Sequence, residues 1–196
     1  MKDSWSASGW VWTALAGPYL AAAGLLVLAG VPKLRDPMPL VRALRSAGWP
    51  SGRRLVRMVA AVEVVVGVAA VVRPSRPTAL LLAISYTVFT AFVVVALRRG
   101  GVLASCGCFG RADTPPTIAH AASTAGAALV ALAIAVRPPV TPSSTGLSLG
   151  APWTGAPVGT VVAVLLLAGL VGFLAWQVMA VLPTVTPAAV RSTGRR

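Results

Sequence analysis

Apolar residues in this chain do not alternate with polar ones. They run on for about twenty positions at a time, the length a helix needs to cross about 30 Å of hydrocarbon. Five such runs cover residues 11–31, 55–72, 78–97, 117–136 and 158–182. The first lies between Asp3 and Lys33. It exceeds the roughly 7–15 residues of a signal-peptide core, and the charge before it is only Lys2 offset by Asp3, so it reads as a retained helix. The second carries Arg57 near one end and Glu63 inside. It still reaches across if Arg57 extends its head to the interface.

The joints follow the same logic. Over 36–47, Leu40, Val41, Leu44 and Ala47 share one helical face while Arg42 and Arg45 share another, which predicts a short interfacial helix. Gly48 ends it, Trp49 sits at headgroup depth, and Ser51 is placed to cap the next helix. Arg73-Pro74 and Arg76-Pro77 predict a tight turn between the second and third spans. Residues 137–157 are a Pro/Ser/Gly-rich linker. The expected fold is all-α: a multi-pass bundle in the cell membrane, with a four-span unit over 1–136, a fifth helix over 158–182 and a basic tail over 183–196. The pairs Ala122/Gly126 and Ala168/Gly172 are spaced for close helix approach.

Composition removes the alternatives. Apolar residues make up 57% of the 196 positions before the 19 glycines are counted, and charged residues only 11%. Soluble domains average about 45–50% apolar with Gly included and about 25% charged, so this chain is neither a soluble domain nor a disordered one. Lys and Arg number 17 against 4 Asp and Glu, a net +13. In a soluble chain that excess would point to nucleic acid. Here the cations collect between apolar runs and form no basic face interleaved with aromatics, so the partner they predict is the lipid bilayer. The face holding the first and third loops carries 13 of the 17, and the positive-inside rule puts that face in the cytoplasm.

Few residues are left to carry chemistry. An ionisable group inside a span asks for a partner. Lys33 ends the first span and Glu63 lies two turns into the second, both toward the same face, so an ion pair is geometrically reasonable; Tyr86 or Thr90 are the other candidate partners for Glu63. Both cysteines of the chain fall in Ser105-Cys106-Gly107-Cys108-Phe109-Gly110, between the third and fourth spans. Cα atoms two apart lie within about 7 Å, near the upper limit for a disulfide, so the bond would close a small, strained and readily exchanged ring. That suits a redox-active dithiol better than a staple. The same thiols could hold a soft metal, or zinc with His120 as a third ligand, but a four-ligand site lacks candidates. His120, the single histidine, sits three residues into the fourth span. All five residues gather toward one face.

At these residues the chain resembles the MauE/DoxX family of redox-associated bacterial membrane proteins. The matching pieces are Gly30-Val31-Pro32-Lys33-Leu34, Glu63-Val64-Val65-Val66-Gly67 and Cys106-Gly107-Cys108-Phe109-Gly110, within residues 11–136. The resemblance implies a compact helical bundle tied to thiol–disulfide chemistry beside a thioredoxin-like partner, in maturation of a disulfide-rich protein as in methylamine utilisation. It makes Cys106 and Cys108 the redox pair and Lys33 and Glu63 the buried polar elements. His120-Ala121 stands where such proteins tend to carry Arg or Asn early in the fourth helix. No resident cofactor is expected; neither a quinone motif nor a complete metal-ligand set is present. The rival readings are an assembly scaffold whose cysteines hold a metal or nothing, and a small transporter subunit built around Lys33 and Glu63.

Overall fold

The computed structural model describes residues 3–46, 48–98, 117–138 and 158–180. It contains six helices: α1 (Asp3–Arg35), α2 (Met38–Ser46), α3 (Arg53–Val72), α4 (Arg76–Arg98), α5 (Ile118–Val136) and α6 (Val158–Ala180). Five of them carry a segment long and apolar enough to cross a membrane, and α2 is the short one. The chain is an all-α, multi-pass membrane protein.

Helix α1 is the hub. It packs against α3, α5 and α6, while α4 packs on α5 and more lightly on α3, so α1, α3, α4 and α5 close a four-helix unit. Its core joins Tyr19, Ala23 and Leu26 of α1 to Val66 and Ala70 of α3, Leu82 and Tyr86 of α4, and Ala131 and Ile134 of α5. Small residues recur there, so the backbones lie close and the helices gain contact where no hydrophobic effect drives them together. The outward faces are apolar too: Met58, Val62 and Val65 on α3 and Ile84 and Val88 on α4 are exposed, as lipid-facing positions require. Helix α6 lies outside the unit, with no residue of Val158–Ala175 buried.

Helices α1 and α3 approach closely, and two glycines permit it. A Cβ on Gly30 would stand 2.9 Å from the Ala60 carbonyl oxygen and 2.8 Å from Val64. A Cβ on Gly67 would stand 2.8 Å from the Ala23 carbonyl oxygen and 2.6 Å from Val27. Gly17 makes similar room for Leu167 of α6. The spacing-based pairs behave differently. Gly126 meets nothing within 4 Å and Gly172 meets Ala21 only at 3.9 Å, so neither is a point of tight packing. A four-residue repeat marks small residues on one stripe but does not say whether a helix or open space lies opposite.

Helix ends follow the chain's local chemistry, with two departures from expectation. Gly48 adopts φ +72°, the left-handed conformation that stops α2, and Val41 is buried on the inward face of that helix while Arg42 and Arg45 are exposed. Trp49 then packs edge-on against Phe92 of α4, ring centroids 5.4 Å apart. Ser51 does not cap α3: the N-cap is Gly52, and no side chain bonds there. The turn between α3 and α4 is also shorter than expected. Arg76-Pro77 belongs to the first turn of α4, where proline's missing N–H costs nothing. Thr78 ties this start down, its hydroxyl accepting from Ser75 N–H at 2.9 Å.

Candidate functional site

Lys33 and Glu63 meet where α1 and α3 cross. Lys33 Nζ donates to both Glu63 carboxylate oxygens, at 2.9 and 3.1 Å, and each side chain is 5% exposed. Gly30 stands one turn before Lys33, and a Cβ there would lie 3.2 Å from Glu63 Cβ, so the glycine lets the helix carrying Lys33 come close to the one carrying Glu63. Neither Tyr86 nor Thr90 is the carboxylate's partner. Tyr86 donates its hydroxyl to the Ala22 carbonyl at 2.7 Å, and Thr90 bonds Tyr86 O and Thr124.

The ammonium has a second neighbour that the sequence alone does not reveal. Lys33 Nζ lies 4.9 Å from the centroid of the Phe89 ring, within cation–π range, and Phe89 packs edge-on against Tyr86 at 6.0 Å. Helix α4 therefore contributes a side chain to the surroundings of the pair. A buried ion pair supported in this way is net neutral and locked, and removing one partner would strand a charge in low dielectric.

His120 comes to the same end of the bundle through α5. Thr117 caps that helix, its side chain accepting from His120 N–H, and the Thr117 hydroxyl shares a 2.8 Å hydrogen bond with His120 Nδ1. The imidazole is buried. One turn on, Thr124 donates to the His120 carbonyl and accepts from Thr90 of α4 at 2.9 Å, which pins α5 to α4. Lys33 and His120 both line an open-sided cavity of about 400 Å³ among α1, α4, α5 and α6. This juxtaposition is the strongest polar feature of the described structure.

Cys106 and Cys108 lie outside the described residues. The loop that holds them joins the end of α4 to the start of α5, so His120 opens the helix that follows it. Among the described residues no group of three or more His, Cys, Asp or Glu stands together as metal ligands. Phe89 and the Gly30–Gly67 crossing escape inference from charge. The signal for the crossing is Gly67, the single glycine of an otherwise Val- and Ala-rich run, whereas Gly30 is one of several glycines in α1.

Residues 10–138 match the family described as methylamine utilisation protein MauE, which covers α1 through α5 and the intervening cysteine loop. No curated protein and no solved structure matches the chain.

Proposed function

The chain belongs to the MauE family, and from that premise we propose that it supports thiol–disulfide exchange at the membrane through Cys106 and Cys108, with a thioredoxin-like protein as partner. The observation that carries this reading is the cysteine pattern itself. The only two thiols of a 196-residue membrane chain stand one glycine apart, in a loop flanked by further glycines. A ring that small is strained, and strained disulfides are the readily exchanged ones.

In the oxidising direction a partner thiolate attacks one sulfur of the Cys106–Cys108 disulfide, forming a mixed disulfide and releasing the other cysteine as thiolate. The partner's second thiol then displaces the remaining cysteine. The partner leaves oxidised by two electrons, and this chain is left as the dithiol with the two protons. The reverse sequence reduces the partner. Maturation of a disulfide-rich client, of the kind the family's name associates with methylamine utilisation, is the setting that fits. The buried Lys33–Glu63 pair then serves as part of the bundle's rigid frame rather than as a reactant.

Trapping tests this reading. With Cys108→Ser, the remaining Cys106 cannot be resolved within the loop, so a mixed disulfide with a thioredoxin-fold protein should accumulate and vanish on reduction. Cys106→Ser should trap through Cys108 or fail to react. Full function in both single variants would instead identify an assembly scaffold, and zinc or copper bound stoichiometrically by the wild type and lost in both variants would identify a metal site.

A further inference from the structure

Between Asp36 and Glu63 the chain carries five arginines and no carboxylate: Arg42 and Arg45 on α2, and Arg53, Arg54 and Arg57 at the start of α3. All five are exposed. The two flanking acids are engaged elsewhere. The Asp36 carboxylate accepts from Met38 N–H at 3.0 Å, and Glu63 holds Lys33. Among the described residues no ion pair reaches any of the five guanidinium groups. Helix α2 packs against α3, so its arginines belong to the same end of the bundle.

The cations on α3 run against the helix they start. Arginines near a helix N-terminus oppose the positive end of its macrodipole, and neither a side-chain cap nor an acidic residue in the first turn offsets them. The N–H groups of Arg53, Arg54 and Leu55 precede the first intrahelical acceptor, Gly52 O, which takes Val56 N–H at 3.0 Å. An anion at this corner answers both. Below it, α3 turns apolar on the same side. Met58 and Val65 follow Arg54 by four and eleven residues, within about 40° around the helix, and both are exposed, as is Val62. From Arg54 to Val65 the stripe descends about 17 Å, close to one leaflet of a hydrocarbon core about 30 Å thick.

We propose that this corner binds an anionic phospholipid, its phosphodiester held by Arg53, Arg54 and Arg57 with Arg42 and Arg45 beside them, and its acyl chains laid along Met58, Val62 and Val65. Topology alone needs cations somewhere in the loop. An uncapped, arginine-loaded helix start above an apolar stripe of leaflet depth fits the two parts of one lipid. Guanidinium groups take phosphate oxygens through paired N–H donors. Phosphatidylcholine offers the same phosphate but brings a quaternary ammonium that the arginines repel, whereas a glycerol head brings no cation. The site uses neither cysteine, so its occupancy does not depend on thiol chemistry.

Competition between two lipids tests this. The full chain in dodecyl maltoside is titrated with an equimolar mixture of dioleoyl phosphatidylglycerol and dioleoyl phosphatidylcholine, and the bound lipid is read by native mass spectrometry. Phosphatidylglycerol should be preferred at least fivefold as the first bound lipid. The triple variant Arg53→Gln, Arg54→Gln, Arg57→Gln should cut that preference at least threefold. The double variant Arg73→Gln, Arg76→Gln, which removes exposed cations at the other membrane face, should leave it unchanged. A tenfold excess of inorganic phosphate should not displace the lipid. Where the triple variant fails to insert, Arg54→Gln alone should still lower the preference at least twofold. Equal binding of the two lipids, a preference that survives the α3 variants, or an equal loss in the Arg73, Arg76 variant overturns the proposal. Displacement by phosphate also overturns it, identifying a soluble anion as the occupant.

Discussion

Gly30 and Gly67 are reciprocal: each faces a backbone carbonyl of the other's helix, Gly30 the Ala60 oxygen and Gly67 the Ala23 oxygen. Together they hold α1 and α3 closer than any side chain at either position would allow. The Lys33–Glu63 pair sits at one end of that contact and depends on it for its geometry.

A methyl group at either glycine should force the helices apart. Gly30→Ala and Gly67→Ala are each expected to cost about 1–3 kcal/mol, the usual range for overpacking, despite alanine's better helix propensity. Thermal unfolding in detergent, with intact insertion, is the measurement. An unchanged or raised Tm in both would show that the crossing has slack.

The ion pair should reveal itself by coupling. Lys33→Ala and Glu63→Ala should each destabilise by about 3–5 kcal/mol, since each leaves a buried charge unpaired. The double variant should lose clearly less than the two single losses added together. Strict additivity in a double-mutant cycle would mean that the two groups do not share an interaction in the bilayer.

At the start of α5, Thr117→Ala removes the cap and the hydroxyl bonded to His120 Nδ1 together. A loss of about 0.5–2 kcal/mol is expected, concentrated in the first turn. Hydrogen exchange should therefore quicken at the amides near His120 and stay slow near Ile134. Uniformly faster exchange along α5 would argue against a local cap.

Orientation is open to a chemical test because the chain has only two thiols. The face rich in Lys and Arg is expected in the cytoplasm, so a membrane-impermeant thiol reagent applied to intact cells should spare Cys106 and Cys108 and label them after permeabilisation. Rapid labelling from outside would reverse the orientation.

The spans were legible because charge interrupts them: α3, α4, α5 and α6 begin within two residues of the expected starts, and α2 occupies 38–46 of the expected 36–47. Helix α1 runs on to Asp3, since Ser4–Trp10 holds no proline to stop it even though the apolar run has ended. Proline misled at Arg76-Pro77 because the residue tolerated at a helix start is also a turn former. The Lys33–Glu63 pair was readable from two charges on the same face, whereas Phe89 was not. Its ring reaches the ammonium from a helix whose rotation the local sequence does not fix. The small-residue stripe at Gly126 was read as a contact and is a wall of the cavity instead, a distinction only the neighbouring helices supply.

The neutrality of the Lys33–Glu63 pair also bears on how the bundle responds to an energised membrane. One elementary charge crossing the bilayer exchanges about 2.3 kcal/mol with a potential of 100 mV. An ammonium and a carboxylate 2.9 Å apart, moving together, exchange almost nothing. Rearrangements of α1 against α3 that keep the pair intact therefore carry almost no gating charge.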